Sequence, residues 1–403
     1  MSPPRHQGNP KPLAHWIARR LARNPSREVA KGHHNTNVIL PLLPLAVALG
    51  VRWLRDNKDD LRELADKQSG GLRRLARLHV KYRTPLKAVE VVPRLWRPES
   101  LVLRALEGNL DQVPRSLGDF GDWSLHSYRV GQPLSKEVPE GKVGEARLRA
   151  FAQFFAALAG CDVLDRLELP DEYSRTAASS TDGFMKWLAD FARSKVCAAN
   201  QSRFGRLFGD VGVPEDAIGM FLENLPLLKP RPLTLLHTDV HRANVIVGKD
   251  DQGDEQLCII DWELALYGDP LHDLATHLVR MRYDGEEYKK MIEYWGDAMS
   301  EAGFQAMTRD FERDLGHYID FEHVQSVYAD VMRAALDLPA EPTPAELAAV
   351  AARVHAAVLR ARTALRLTGD FPGEQEDQEH LRNWLLANAV AGEVDEKGFA
   401  DAG

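Results

Sequence analysis

The sequence is poor in cysteine. Its three cysteines, Cys161, Cys197 and Cys258, stand far apart and form no Cys-x-x-Cys pair. This usage excludes a disulfide framework and a thiolate zinc site, and it favours a cytoplasmic location. Long hydrophobic runs are missing as well. The longest, Val38–Val51, is broken by two prolines and is shorter than the roughly 20 residues that a membrane helix needs, so we expect no membrane partner.

Several catalytic signatures are also missing. The sequence contains no Gly-x-x-x-x-Gly-Lys-[Ser/Thr], no Gly-x-Gly-x-x-Gly, no His-Glu-x-x-His and no Gly-x-Ser-x-Gly. A P-loop nucleotidase, a Rossmann dehydrogenase, a zinc protease of the zincin type and an α/β-hydrolase each depend on one of these motifs. Their absence excludes those four classes.

Charge is unevenly distributed along the chain. The 403 residues hold 51 Lys and Arg against 59 Asp and Glu, a formal charge of −8, which argues against a nucleic-acid partner. Residues 1–100 contain 20 basic and 8 acidic side chains, whereas residues 101–403 contain 31 and 51. The chain therefore has a basic first quarter and an acidic remainder.

Hydrophobic periodicity changes from strand-like to helical along the chain. A polar turn at Gly32–Asn37 lies between two strand-like stretches, Val80–Trp96 has strand character, a helix is expected from Pro98 to Leu106, and Gly121–Val130 favours a strand pair. Six later segments have helical periods: Ala146–Leu158, Gly183–Val196, Pro214–Leu225, Glu286–Ala302, Ala306–Leu315 and Glu346–Leu367.

This order predicts an α+β fold with a β-rich part at residues 1–130 and a mainly helical part at residues 131–403. The charged, heptad-like stretch at 54–78 is interpreted as a helical insertion in the first part. No pattern indicates an oligomeric state.

The informative chemistry lies in one mixed segment, residues 235–278. Two apolar runs flank a turn rich in Gly and Asp, which predicts a hairpin with Asp239 and Asn244 at the start of its first strand and Asp261 after its second. Two carboxylates and a carboxamide in one small volume suit Mg²⁺. The spacing His237-x-Asp239-x-x-x-x-Asn244 is that of a kinase catalytic loop.

Three blocks in this segment resemble a known family. His-x-Asp-x-His-x-x-Asn, then Ile-Asp-Trp-Glu, then Gly-Asp-Pro-x-x-Asp-Leu-Ala are similar to the aminoglycoside phosphotransferase and choline kinase family of small-molecule kinases. The resemblance implies a protein-kinase-like, two-lobed fold with a nucleotide-binding lobe at 1–130 and a catalytic and acceptor-binding lobe at 131–403. It also implies Mg²⁺ and a nucleoside triphosphate donor, ATP or GTP.

The resemblance assigns roles to the residues of the motif. Asp239 would be the catalytic base, and Asn244 and Asp261 would be the Mg²⁺ ligands. His237 would brace the loop, while His241 would either touch the transferring phosphate or only order the loop.

The first part of the chain matches the family less well. Gly32–Asn37 stands where a loop over the phosphates belongs, which makes His34, Asn35 and Asn37 candidate nucleotide contacts. With a single glycine, it is equally an ordinary hairpin turn. Ser127 lies where contacts to the nucleotide base are expected.

A kinase also needs a strand cation and an acidic residue that orients it. Glu99, at the start of the helix that follows Pro98, resembles the family's helix acid. The cation is then Arg94, which shares a predicted strand with the residues before that helix, or Lys87.

The identity of the acceptor stays open at this point. The acidic balance of residues 101–403 favours a cationic acceptor, such as an antibiotic phosphorylated for resistance or self-protection. The alternatives are a metabolic kinase for choline, an amino alcohol or a sugar and, from another class, a pseudokinase that only binds nucleotide.

Overall fold

The computed structural model describes residues 12–22, 29–31, 35–41, 45, 49, 79–85, 91–121, 123–250 and 252–400. His34, Lys87 and the predicted insertion at 54–78 lie outside these residues. The described strands are β1 Val29–Lys31, β2 Asn35–Pro41, β3 His79–Pro85, β4 Ser116–Asp119, β5 Ser124–Ser127, β6 Gln132–Pro133, β7 Thr234–Leu236, β8 Val245–Lys249, β9 Glu255–Ile259 and β10 Leu266–Gly268.

The described α-helices follow in chain order, and most of them lie after residue 130. They are α1 Pro12–Ala22, α2 Ser100–Leu106, α3 Leu134–Glu137, α4 Glu145–Ala159, α5 Asp171–Arg175, α6 Thr181–Phe191, α7 Ala199–Asp210, α8 Ala217–Asn224, α9 Pro270–Met281, α10 Gly285–Glu301, α11 Phe311–Leu336, α12 Pro344–Ala364 and α13 Glu374–Ala400. A π-helical segment, Ala192–Ala198, joins α6 to α7. The α+β class is confirmed.

The five-stranded sheet of the first part has two chemically different faces. Its strands are antiparallel in the order β1-β2-β3-β5-β4. Because side chains alternate along a strand, Val80 and Tyr82 of β3 point into an apolar core that also contains Ala14 and Ala18 of α1. Lys81, between them, points to the opposite face.

The predicted end of one strand and the predicted start of one helix are wrong. The strand expected over Val80–Trp96 ends at Pro85, and the described residues from Val91 to the start of α2 form no strand. The helix expected over Ala306–Leu315 begins only at Phe311. Asp310 adopts a left-handed conformation with φ of 48°, so a helix cannot run through it.

The predicted hairpin in the mixed segment is confirmed. Strands β8 and β9 pair antiparallel, with Val245 opposite Ile259 and Lys249 opposite Glu255. The backbone N–H of Ile260 donates to the carbonyl oxygen of Asn244 at 2.9 Å, so the pairing extends past the strand ends. Asn244 and Asp261 therefore lie at the same end of the hairpin.

The chain divides into two compact units. The first comprises residues 1–89, 94–171 and 234–308, and it holds the strands described above together with α9 and α10. The second comprises residues 90–93, 172–233 and 309–403, in which α12 packs against both α11 and α13. The predicted boundary near residue 130 stays a prediction. Among the described residues, no helix is long and apolar enough to cross a membrane.

Candidate active site

Asp239 lies in the loop between β7 and β8, in contact with three side chains. Nδ2 of Asn244 donates to its Oδ2 at 2.9 Å and to its backbone carbonyl oxygen at 3.0 Å. Its other oxygen, Oδ1, accepts a hydrogen bond from Arg280 and lies 3.4 Å from Nε2 of His241. Burial opposes ionisation of Asp239, but the charge of Arg280 and a hydrogen bond from His241 outweigh it and hold its pKa well below the usual range.

A buried carboxylate fixes the backbone before Asp239. The two oxygens of Asp273, in α9, accept hydrogen bonds from the backbone N–H groups of His237 and Thr238, each at 2.8 Å. Thr238 has a positive φ of 61°, an unfavourable conformation for a β-branched residue. The two hydrogen bonds hold the loop in this conformation.

His237 is fully buried beneath the loop. Its Nε2 donates to the carbonyl oxygen of Ile260 at 3.1 Å, and its Nδ1 accepts from the backbone N–H of Asp239 at 3.2 Å. Burial lowers the pKa of His237 to about 4, so the ring is neutral, as these two bonds require. This geometry fits the predicted role of a brace.

A second histidine supports the loop from α9. Nδ1 of His277 donates to the carbonyl oxygen of Val240 at 2.8 Å, and its Nε2 accepts from the hydroxyl of Tyr283 at 2.9 Å. Burial lowers the pKa of His277 to about 4. The two bonds therefore fix one neutral tautomer beside the loop that carries Asp239.

Asn244 and Asp261 provide two oxygen-containing side chains that could bind a metal ion at the end of the hairpin. Because Nδ2 of Asn244 donates to Asp239, its amide oxygen is the atom left to bind a cation. Asp261, with φ of 72°, ends the extended chain two residues past β9. No group of three or more His, Cys, Asp or Glu able to hold a metal occurs in the described part of the chain. One carboxylate and one amide oxygen fit Mg²⁺, which binds few protein ligands together with water and phosphate.

Glu99 joins the start of α2 to the segment that contains Asp261. Its Oε1 accepts the backbone N–H of Trp262 at 2.7 Å, and its Oε2 lies 3.8 Å from Nδ1 of His126 in β5. Trp262 is itself fully buried and packs edge-on against His237. Glu99 is thus placed between the sheet and the predicted metal ligands.

Arg94 does not occupy the predicted strand position. It lies in irregular chain after residue 91, and its ion pair is with Glu263 at 3.4 Å. The expectation that Arg94 lies on a strand is therefore wrong, because β3 has already ended at Pro85. The role of Arg94 as the cation that meets the nucleotide stays a prediction.

Lys81 has the position that Arg94 lacks. It lies on β3, the central strand of the five-stranded sheet, directly opposite His126 of β5, so the two side chains share a face. Burial raises the pKa of the Cys258 thiol in β9 to about 11, and the positive charges of Arg129 and Lys81 oppose this rise. Lys81 is thus close enough to β9 to act on that thiol. The third strand is where a kinase carries its phosphate-binding lysine. Lys81 is therefore a candidate for this cation that sequence analysis does not name, although its place between Val80 and Tyr82 is a visible signal.

The other predicted nucleotide contacts are only partly placed. Asn35 and Asn37 lie within β2, so the strand begins inside the stretch interpreted as a loop. Ser127 exchanges two hydrogen bonds with the backbone of Arg115: its hydroxyl accepts at 2.8 Å and its N–H donates at 2.9 Å. The Ser127 hydroxyl thus has a structural partner.

Comparison with known proteins places the chain in a family. Residues 83–307, more than half of the chain, match the Phosphotransferase enzyme family, abbreviated APH. The chain belongs to this family and is a phosphotransferase of the α+β class. A search of curated proteins gives no match.

Solved structures with related folds include kinases for different acceptors. An ethanolamine kinase of Plasmodium vivax is 12% identical, with a TM-score of 0.47 over 86% of this chain and 85% of that one. A choline/ethanolamine kinase family protein of Mesorhizobium loti is 14% identical, with a TM-score of 0.46 over 92% and 99%. The APH(2″)-IIa complex with gentamicin is 16% identical, with a TM-score of 0.41 over 72% and 85%.

Proposed function

We propose that this phosphotransferase moves the γ-phosphoryl group of a magnesium-bound nucleoside triphosphate, ATP or GTP, to a hydroxyl group of a small-molecule acceptor in the cytoplasm. The observation that carries the proposal is the hydrogen bond between Asn244 and Asp239. It joins the carboxylate of Asp239, whose other oxygen Arg280 and His241 contact, to the amide of Asn244 at the hairpin end that also holds Asp261.

In this mechanism the protein mainly positions groups and balances charge. The acceptor oxygen forms a bond to the γ-phosphorus while the bond from that phosphorus to the β,γ-bridging oxygen breaks. The hydroxyl proton passes to the carboxylate of Asp239. A magnesium ion held by Asn244 and Asp261 would neutralise the phosphate oxygens, and Lys81, oriented by Glu99, would hold the phosphates from the sheet side.

His241 is proposed to act beside the base. Its Nδ1 accepts the backbone N–H of Ala243 at 3.3 Å, which turns Nε2 towards Oδ1 of Asp239. In this orientation the ring both orders the loop and faces the reacting groups, so the two roles left open for His241 are compatible.

Two classes of acceptor follow from the sequence. An antibiotic-type acceptor would serve resistance or self-protection, and choline, an amino alcohol or a sugar would make the enzyme a metabolic kinase. A screen of nucleotide consumption across aminoglycosides, peptide and nucleoside antibiotics, amino alcohols and sugars distinguishes the two classes. Nucleotide binding without turnover on any of them would favour the pseudokinase instead.

Calorimetry of magnesium-nucleotide binding tests the division of roles within the site. Asp261→Ala should weaken binding by about tenfold or more, because a metal ligand is lost. Asp239→Ala should leave binding nearly unchanged. The matched control is Asp254→Ala, at the opposite, exposed end of the same hairpin. Unchanged affinity in Asp261→Ala would remove Asp261 from the metal site.

A further inference from the structure

The two oxygens of Asp239 face different partners. Oδ2 is bonded to Asn244, the proposed metal ligand, so this oxygen lies on the nucleotide side of the loop. Oδ1 is the oxygen left for the hydroxyl of the acceptor, and it is the one that Arg280 contacts. The guanidinium of Arg280 therefore stands on the acceptor side of the base.

Arg280 is well placed to meet a ligand that comes from solvent. It lies in the last turn of α9, the helix that also carries Asp273 and His277, and its side chain is 28% exposed. A cation on a rigid helix, partly open to solvent and in contact with the base, has the properties of a binding group.

The carboxylates around the loop are largely committed to other groups. Asp273 accepts two backbone N–H groups, Glu263 pairs with Arg94, and Glu99 accepts from Trp262. Asp261 is assigned to the metal. The remaining described carboxylate at the loop is that of Asp239, and it already has a cationic partner.

A buried arginine adds positive charge behind the loop. The guanidinium of Arg242 donates to the backbone carbonyl oxygens of Met281, Val138 and Gly141, at 3.2, 2.7 and 2.6 Å. Carbonyl groups satisfy its hydrogen bonds but carry no net charge to balance it. The buried carboxylate of Glu287, which accepts the N–H groups of Val143 and Gly144, is the group of opposite charge that acts on Tyr283 together with Arg242.

We infer that Arg280 binds the acceptor, and that the acceptor carries an anionic group, a carboxylate or a phosphate, beside the hydroxyl that is phosphorylated. The inference rests on the proposed function. A cationic acceptor would be repelled by Arg280 at Oδ1. An anionic acceptor draws the guanidinium off Oδ1, forms an ion pair with it and leaves that oxygen free to take the hydroxyl proton. This reverses the preference for a cationic acceptor that bulk charge favours.

Matched probes of different charge test the inference. The probes form two series, each with a neutral, an anionic and a cationic hydroxyl compound in that order. The first series is glycerol, glycerate and serinol, and the second is glucose, glucuronate and glucosamine. The readout is the rate of ADP release from MgATP. A compound that enters the acceptor site raises this rate if it is phosphorylated and lowers it if it only blocks the site. We expect the anionic member to act at about tenfold lower concentration than its neutral parent, and the cationic member to be the weakest. An anionic member no better than its neutral parent in both series, or a stronger cationic member, overturns the inference.

Variants assign the effect to Arg280. Arg280→Met should abolish the preference for the anionic probes, whereas Arg280→Lys should retain part of it. Arg282→Met, which removes the same charge from an exposed position just past α9, should leave the preference intact. Thermal unfolding of each variant establishes that it is folded. A preference that survives in folded Arg280→Met contradicts the assignment.

The same assay separates this inference from the proposed function. If ADP release depends on Asp239 but cationic probes act best, the phosphotransferase mechanism stands and the inference on the acceptor fails. If ADP release is the same in Asp239→Ala as in the unchanged protein, the proposed function itself fails.

Discussion

Glu99 accepts the backbone N–H of Trp262 at 2.7 Å, across 163 positions of the sequence. Both groups are buried, so this bond has no water to replace it. Through it, the start of α2 is tied to the residue that follows Asp261. The position of a proposed metal ligand therefore depends on a carboxylate in the first part of the chain.

Two replacements of Glu99 separate the effect of its hydrogen bond to Trp262 from the effect of its negative charge. Glu99→Ala leaves the Trp262 N–H buried without its acceptor, which should lower the free energy of unfolding by about 1–3 kcal/mol. Glu99→Gln keeps an acceptor oxygen and should retain most of that stability. Because glutamine is neutral, it should no longer orient Lys81. The KM of the Glu99→Gln variant for nucleotide should therefore still rise. Chemical denaturation and steady-state kinetics measure the two effects, and equal behaviour of both variants would contradict this division.

The choice between the candidate strand cations has a direct test. Lys81→Met should weaken MgATP binding by about tenfold or more, since the phosphates lose a cation on the central strand. Arg94→Met should have a smaller effect, because Arg94 is paired with Glu263. Lys87→Met, at the alternative position that the sequence offers, completes the comparison. Titration calorimetry on the three folded variants gives the ranking, and a larger loss in Arg94→Met or Lys87→Met than in Lys81→Met would contradict the assignment.

The buried, neutral His277 predicts a pH dependence of stability. Its pKa of about 4 in the folded state lies below the ordinary value of 6.5. As the pH falls through this window, the unfolded chain takes up a proton that the folded chain does not, so stability is lost on acidification, by about 3 kcal/mol for this group.

The matched variant is His277→Asn, whose amide nitrogen can replace Nδ1 as the donor to Val240. It should be less stable than the unchanged protein at pH 7.5, and the difference should shrink towards pH 5, because the variant has no such proton uptake. His237, with the same direction of shift, is present in both proteins and cancels. Urea unfolding at several pH values gives the two curves, and parallel curves would contradict the role of His277.

Sequence analysis located the residues of the catalytic loop and hairpin because they are neighbours in the chain. His237, Asp239 and Asn244 lie within eight positions of one another. The strand pairing between Val245 and Ile259 follows from a short turn and two apolar runs, so Asp261 was also predictable.

The residues that were missed depend on long-range packing. Arg280 contacts Asp239 although the two residues are 41 positions apart in the sequence. The contact depends on how α9 is oriented relative to the loop, and helical periodicity alone does not specify this orientation. Sequence analysis weighs Arg94 against Lys87 and does not consider Lys81, because the apolar residues around Arg94 resemble a strand. The strand ends at Pro85, and irregular chain carries Arg94 to Glu263 instead.

The central claim is that Asp239 accepts the hydroxyl proton during phosphoryl transfer, and the rate of transfer in Asp239→Asn tests it most directly. The amide can still accept the hydrogen bond of Asn244 but cannot serve as a base. Transfer of labelled γ-phosphate from MgATP to the best acceptor of the screen should slow by about 10²–10⁴-fold, with the Kd for MgATP nearly unchanged. A transfer rate in Asp239→Asn equal to that of the unchanged protein would contradict the account.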